Sequence, residues 1–291
     1  MLDIPKNIEI VIDNDFKDYE VNGFLRKAID SFLIPVLNRL PSGLFIKSSK
    51  QAKMVHEGAT THKALEVIYS FDNQLNFERG ILDAFLTYFW QKTNHAKALR
   101  NRLRLVKKEL EKAIHSFNKK EIRILNLACG SNRAIIEVIG LHKEKFDFEV
   151  FGVDKNDSAI EYGKSLASIF DIAHLFKWHK DTISNFLRSN NNIKFDIIEM
   201  VGFLDYIKDE KAVLLFDQIY SALSDDGIFI TGNIKDNPEK RFVTDVVGWP
   251  NLIFRNESDL IKLLINSKFE SSNIKIIYEP HNIHGVIKCK K

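Results

Sequence analysis

The sequence predicts an α/β protein: a helical N-terminal segment followed by a mostly parallel sheet with helices on both faces. Three observations predict it. Up to about Phe117 the apolar residues recur at three- and four-residue spacing, as in Leu82, Phe85, Leu86 and Phe89 and again in Leu99, Leu103, Val106 and Leu110. After Glu121 short apolar runs alternate with amphipathic stretches, the pattern of strand–helix–strand units. The chain closes on two apolar runs joined by a short connection, which reads as an antiparallel pair.

The first segment contains a short strand at Ile8–Ile12 and three helical stretches. Asn22–Leu40 should break at Pro35, which lacks an N–H and clashes with the preceding turn. Ser49–Phe71 and the long Glu78–Phe117 follow. The change of pattern near Phe117–Glu121 suggests two domains, residues 1–118 as a helical cap and substrate domain and residues 119–291 as the catalytic sheet domain. In the second part, strands are expected at Ile122–Leu127, Phe148–Val153, His174–His179, Phe195–Met200 and Ile228–Gly232. Helices are expected at Arg133–Ile139, Ser158–Ile169, Lys208–Leu223 and Glu257–Asn266, the last capped by Asn256. Ile274–Tyr278 and Val286–Lys290 form the closing pair.

Composition narrows the function. Of 291 residues 45% are hydrophobic and 28% charged, the balance of a globular protein rather than a disordered one. Two cysteines, Cys129 and Cys289, exclude a disulfide framework and suit a cytoplasmic location. Met1–Asp15 is acidic where a leader is basic, and the longest apolar runs fall short of a membrane span. A net charge of +3 gives no general case for nucleic acid. Lys92–Arg123 is basic enough to track phosphates, but a solvated helix face explains it as well. No His, Cys or carboxylate spacing suggests a metal site.

Chemistry concentrates in the turns that follow the strands. Ile124-Leu-Asn-Leu-Ala-Cys-Gly-Ser-Asn132 runs from a strand through small residues into a helix, where free N–H groups can approach a ligand. Asp154 ends the next strand, 24 residues after Gly130, where a carboxylate can accept hydrogen bonds from ribose hydroxyls. A dinucleotide site needs a glycine where this turn has Arg133, which disfavours NAD. Lys180-Asp-Thr182 follows the third strand, Phe195–Ile207 the fourth, and Leu223-Ser-Asp-Asp-Gly-Ile-Phe-Ile230 leads into the fifth.

In order and spacing these five elements resemble the motifs of class I S-adenosylmethionine (SAM) methyltransferases. The central Gly130 is kept, while Asn126, Ala128 and Asn132 depart from the residues that family prefers. Gly202-Phe-Leu-Asp-Tyr-Ile207, Thr231-Gly-Asn233 and Trp249 to Glu257, with the upstream Ala98–Val106 helix, resemble more narrowly bacterial methyltransferases of 3-hydroxypalmitic acid methyl ester (extracellular factor) biosynthesis. The resemblance implies a Rossmann-like seven-stranded sheet, mostly parallel with an antiparallel last strand. It implies SAM as cofactor and S-adenosylhomocysteine (SAH) as product. It places Arg100, Ala128, Cys129, Gly130, Asp154, Lys155, Asp181, Thr182, Glu199, Met200 and Val201 around the cofactor.

A methyl on a sulfonium is already activated, so transfer is a problem of holding the acceptor in line. A carboxylate acceptor needs no base but does need orienting, for which Arg255 and Tyr206 are candidates. Phe203, Tyr206, Asn233, Trp249 and Arg255 would line the acceptor pocket, and Glu199 would face the sulfonium or an amine. The expected reaction is carboxyl O-methylation of a small, partly apolar acid. The alternatives are N-methylation of an amine or amino-acid-derived metabolite, using Glu199 or Asp205, and a non-catalytic binding module. The expected partner is a small-molecule acceptor, with a homodimer through the N-terminal helices as a further expectation.

Overall fold

The computed structural model of the protein describes residues 8–13 and 15–291, so most of Met1–Asp15 lies outside the described residues. In chain order, strand β1 (Glu9–Ile12) precedes helices α1 (Phe24–Leu37), α2 (Ser42–Ser48), α3 (Lys50–Glu57), α4 (His62–Tyr69), α5 (Ile81–Gln91) and α6 (Asn94–Ser116). Then come β2 (Glu121–Leu127), α7 (Arg133–His142), β3 (Asp147–Asp154), α8 (Asp157–Ile169), β4 (Phe176–Lys180), α9 (Ile183–Ser189) and β5 (Phe195–Met200). The chain ends with α10 (Asp209–Ala222), β6 (Leu223–Ile234), α11 (Glu257–Ile265), β7 (Ile274–Tyr278) and β8 (His284–Lys290).

The strands form one eight-stranded sheet of order β1-β7-β8-β6-β5-β2-β3-β4. Strand β8 is antiparallel to both neighbours and all other pairings are parallel. The expected count of seven is therefore one short. β1 adds to the edge beside β7, with Glu9 opposite Lys275 and Ile12 opposite Tyr278. The strand order reverses beside β2, between β3 and β5, and the crevice outside the carboxyl ends at such a reversal is the place where open α/β sheets bind ligands.

Helices cover both faces. On one, Phe186, Phe216, Leu260 and Phe269 pack with Phe195 and Phe229 of the sheet. On the other, Leu105, Leu110, Ile114, Ile135 and Ile139 pack with Ile124 and Ile197. A third cluster joins Phe45, Val55, Ile68 and Trp90 of the N-terminal helices to Phe242, Val243 and Trp249 from the segment after β6.

The helical stretches read from periodicity are cut differently. Pro35 does not break α1; it sits near its end, where the missing N–H costs only the last turn. Ser49–Phe71 is two helices, because Thr60 turns left-handed (φ 68°) and Thr61 caps α4. Glu78–Phe117 divides at Thr93, whose hydroxyl accepts the Ala96 N–H and starts α6. Among the described residues no single helix is long and apolar enough to cross a membrane.

Candidate functional site

The turn after β2 is built from left-handed residues, Ala128 (φ 50°), Gly130 (φ 52°) and Asn132 (φ 56°), which swing the chain sharply into α7. Glycine and asparagine tolerate that conformation best. The Cys129 N–H donates to Val153 O at 3.0 Å, extending the β2–β3 ladder. The Gly130 N–H donates to Asp154 Oδ2, and the Asn156 N–H to Asp154 Oδ1, both at 2.9 Å. The Asp181 N–H donates to Asp154 O at 3.1 Å. Gly130, Asp154 and Asp181, distant in sequence, thus meet at the carboxyl ends of β2, β3 and β4.

These residues fit a nucleoside. Asp154 is half-buried, and each of its oxygens holds one backbone N–H and keeps a lone pair for a hydroxyl. Beneath the turn, Asn126 Oδ1 and Asn132 Nδ2 are buried without partners, although Asn126 Nδ2 donates to Asn132 Oδ1 at 2.8 Å. Thr182 caps α9 through its hydroxyl and donates its N–H to Asp181 Oδ1 at 2.7 Å. Lys155 is exposed. Cys129 is buried beside Asp154 and Glu199; burial pushes its thiol well above the usual range, so it packs as a neutral group.

Helix α4 lies over this turn. Glu66 accepts hydrogen bonds from Ser131 Oγ (2.7 Å), Arg133 Nε (2.9 Å) and Tyr162 Oη (3.0 Å), and pairs with Arg133 Nη2. Arg133, which takes the place of a dinucleotide glycine, is therefore the anchor of the helical segment. The signal in sequence was Glu66 itself, a carboxylate between the buried Ala64 and Ile68 of α4.

At the end of β5, Glu199 is 5% exposed and its Oε1 accepts the Val201 N–H at 3.1 Å. Burial pushes this carboxyl up to about 8, against the pull of that N–H and of Arg102. Met200 is fully buried, and its carbonyl accepts the Thr231 hydroxyl at 2.7 Å. Val201 and Phe203 are half-buried. Tyr206 Oη accepts the Trp249 Nε1–H at 2.5 Å, and burial raises the phenol to about 12. Trp249 lines a small apolar cavity with Val55, Ile68, Phe242 and Val243.

Arg100, Arg255 and Asn233 do not take the positions expected from the sequence. Arg100 turns away from the sheet edge: its Nε and Nη2 bind the Glu20 carboxylate at 2.6 and 2.8 Å, and Nη1 binds Gln91 Oε1 at 3.0 Å. Arg255 has each N–H matched by protein. Nε and Nη2 hold Asp209 Oδ1, Nη1 holds Leu204 O and Asn233 Oδ1, and Nη2 also holds Ile207 O. Asn233 spends its own amide on Ile234 O and Ile253 O. Arg255 and Asn233 therefore tie the Leu204–Ile207 turn to β6 and do not face an acceptor.

The residue that sequence reasoning missed is Arg102. Positions two apart on a helix point about 200° away from each other, so while Arg100 faces Glu20, Arg102 faces the end of β5. It is 5% exposed, donates from Nη2 to Tyr69 Oη at 3.1 Å, and lies beside Gly202. Among the described residues no group of three or more His, Cys, Asp or Glu side chains is arranged to hold a metal ion.

Comparison with known proteins agrees with this architecture. A family model described as a methyltransferase domain matches residues 118–277, more than half of the chain. No curated protein matches the sequence. Among solved structures, a possible exported protein from Bordetella parapertussis superposes with a TM-score of 0.68 at 11% identity, covering 93% of this chain and 99% of its own. The SAM-dependent methyltransferase SibL gives a TM-score of 0.52 at 16% identity, over 93% and 78% of the two chains. Magnesium protoporphyrin IX methyltransferase from Synechocystis PCC 6803 with bound SAH gives 0.52 at 13% identity, over 68% and 87%. At such identities these structures speak to the fold alone. The family match, on a sheet edge whose turn and acidic strand end fit a nucleoside, shows that the chain belongs to the methyltransferase-domain family and takes SAM as its cofactor.

Proposed function

We propose that the protein methylates the carboxyl group of a small, partly apolar acid, giving a methyl ester. One observation carries the choice of an acid over an amine: the charge balance at the end of β5. Glu199, at the end of β5, is buried and held neutral near pH 7, while Arg102 beside Gly202 stays cationic. A neutral acid beside a buried guanidinium favours an anionic acceptor over an ammonium.

When bound, SAM supplies a methyl on a sulfonium, and transfer leaves SAH. The residues of the chain have the tasks of binding and alignment. Asp154 would take the ribose hydroxyls, the Ala128–Gly130 turn would lie under the nucleoside, and Asp181 would reach the adenine. Glu199, Met200 and Val201 would border the reacting methyl. A carboxylate oxygen gains the methyl and becomes a neutral ester without losing a proton, so no general base is required. Of residues 1–118, β1 joins the sheet and α6 packs on its face, so helices α1–α5 would act as the cap that closes over the cofactor and shapes the acceptor pocket. A cytoplasmic location and a homodimer through the N-terminal helices complete the reading; Phe24, Phe32, Ile81 and Leu82 are exposed there and would lie at such an interface.

The test is methyl transfer from tritiated SAM to a panel of small acids and matched amines. A product whose label is released by mild base supports the ester. A base-stable label on the amines alone would replace it with N-methylation.

A further inference from the structure

Arg102 stands in an unusual setting for a buried cation. Among the described residues it makes one hydrogen bond, to Tyr69, and no ion pair. Asp205 acts on it through space, but the Asp205 Oδ1 atom is engaged by the Ile234 N–H at 2.7 Å. Two histidines share the compartment. His95, near the start of α6, and His284, at the start of β8, approach with ring centroids 5.4 Å apart, and the charge of Arg102 acts on both. Both are buried, and burial disfavours their charged forms, yet His95 Nδ1 and both ring nitrogens of His284 have no partner. Buried polar atoms are almost always matched, so several unmatched ones around one under-used guanidinium describe a place for a ligand.

The surroundings define that ligand. Each neutral imidazole offers one N–H and Arg102 offers several, so donors dominate and the complementary group is an acceptor-rich anion. His95 also lines the apolar cavity whose other walls include Val55, Ile68, Val243 and Trp249. Trp249 is joined to Tyr206, which lies within the field of Arg102, so polar and apolar compartments are contiguous. The elements around Arg102 are the ends of β5 and β6 and the start of β8, on the far side of β2 from Asp154 and β3. That is the side of the sheet edge away from the ribose site.

We propose that Arg102, His95 and His284 bind the carboxylate of the methyl acceptor, whose apolar part extends into the cavity beside Trp249. The inference rests on the carboxyl-methylation reading and adds the recognition site that Arg255 does not provide. One carboxylate oxygen is held by the guanidinium and imidazole donors, and the other is left toward Gly202 and the end of β5. The three are positioning residues for the acceptor; none takes or gives a proton. Because a guanidinium can also hold the aminoacyl carboxylate of SAM, the test separates the two.

The experiment is calorimetry on the full chain saturated with SAH, titrated with butyrate, hexanoate and benzoate, and with hexylamine and 1-hexanol as controls. At least one acid should bind about tenfold tighter than either control. Arg102→Met, which swaps a buried cation for an apolar chain of similar length, should weaken the acid about tenfold or more while leaving SAH affinity within about twofold. Should Arg102→Met not fold, His284→Phe serves instead, with a smaller loss of acid binding and unchanged SAH affinity. Val243→Phe, which narrows the cavity, should shift preference from hexanoate toward butyrate. Acid binding that survives Arg102→Met, SAH affinity that collapses with it, or tighter binding of hexylamine would each overturn the proposal. Arg102-dependent acid binding without any base-labile product would support the site while counting against the ester reading.

Discussion

Glu66 of α4 and Arg133 of α7 form an ion pair that fastens the N-terminal helices to the turn below the cofactor site. Ser131 and Tyr162 donate to the same carboxylate, so one side chain gathers the turn after β2 and helix α8. Glu66→Ala would leave Arg133 held by Glu137 at 2.7 Å and by a long 3.4 Å bond from Nη2 to Tyr162 Oη, with its Nε–H unmatched. Removing one partner of a largely buried pair costs about 2–4 kcal/mol. A matching fall in the urea midpoint is expected, together with weaker SAH binding. An unchanged midpoint would mean that α4 is not anchored there.

Arg255 is a structural tie. Arg255→Lys keeps the charge but cannot satisfy Leu204 O, Asn233 Oδ1, Ile207 O and Asp209 together, and a loss of about 3 kcal/mol is expected. The acceptor preference of the folded fraction should not change. If KM for the acceptor rises with stability intact, Arg255 touches the acceptor after all.

Glu199 makes stability depend on pH. Its carboxyl is raised to about 8 in the folded protein against 4.5 in the free side chain. Between these values the folded state holds a proton that the unfolded state has released. The contribution is complete below about pH 4.5 and declines as pH rises toward 8, by up to about 1.4 kcal/mol per unit. Glu199→Gln removes this slope, so its urea midpoint should gain on the wild type from pH 5 to pH 8. A constant difference across that range would show that Glu199 ionises normally. His95, lowered to about 3, acts in the opposite sense and costs stability as pH falls below about 6.5.

Much of the fold was legible because each strand of the sheet's centre is a short apolar run closed by a turn signal. Asp154, Gly130 and Asp181 could be placed for the same reason: strand ends and small-residue turns are local features. What sequence reasoning missed depends on packing. The edge pairing of β1 with β7 joins residues more than 260 positions apart, and nothing in Glu9–Ile12 announces its partner. Arg100 and Arg102 are chemically equivalent on paper; only the rotation of α6, buried on nearly every side from His95 to Arg102, sends one to Glu20 and the other to β5. Arg255 read as a surface or substrate-facing cation because its four acceptor atoms come from three separate segments, the Leu204–Ile207 turn, the start of α10 and β6.

The measurement that bears most directly on the central claim is the titration of SAH into the wild type, Asp154→Ala and Asp154→Asn. The wild type should bind. Asp154→Ala, losing the carboxylate that holds Gly130 and is proposed to take the ribose hydroxyls, should bind about 10–100-fold more weakly with its circular dichroism unchanged. Asp154→Asn should fall between. Equal affinity in all three proteins would contradict the account, because the nucleoside would then rest somewhere other than the junction of β2 and β3.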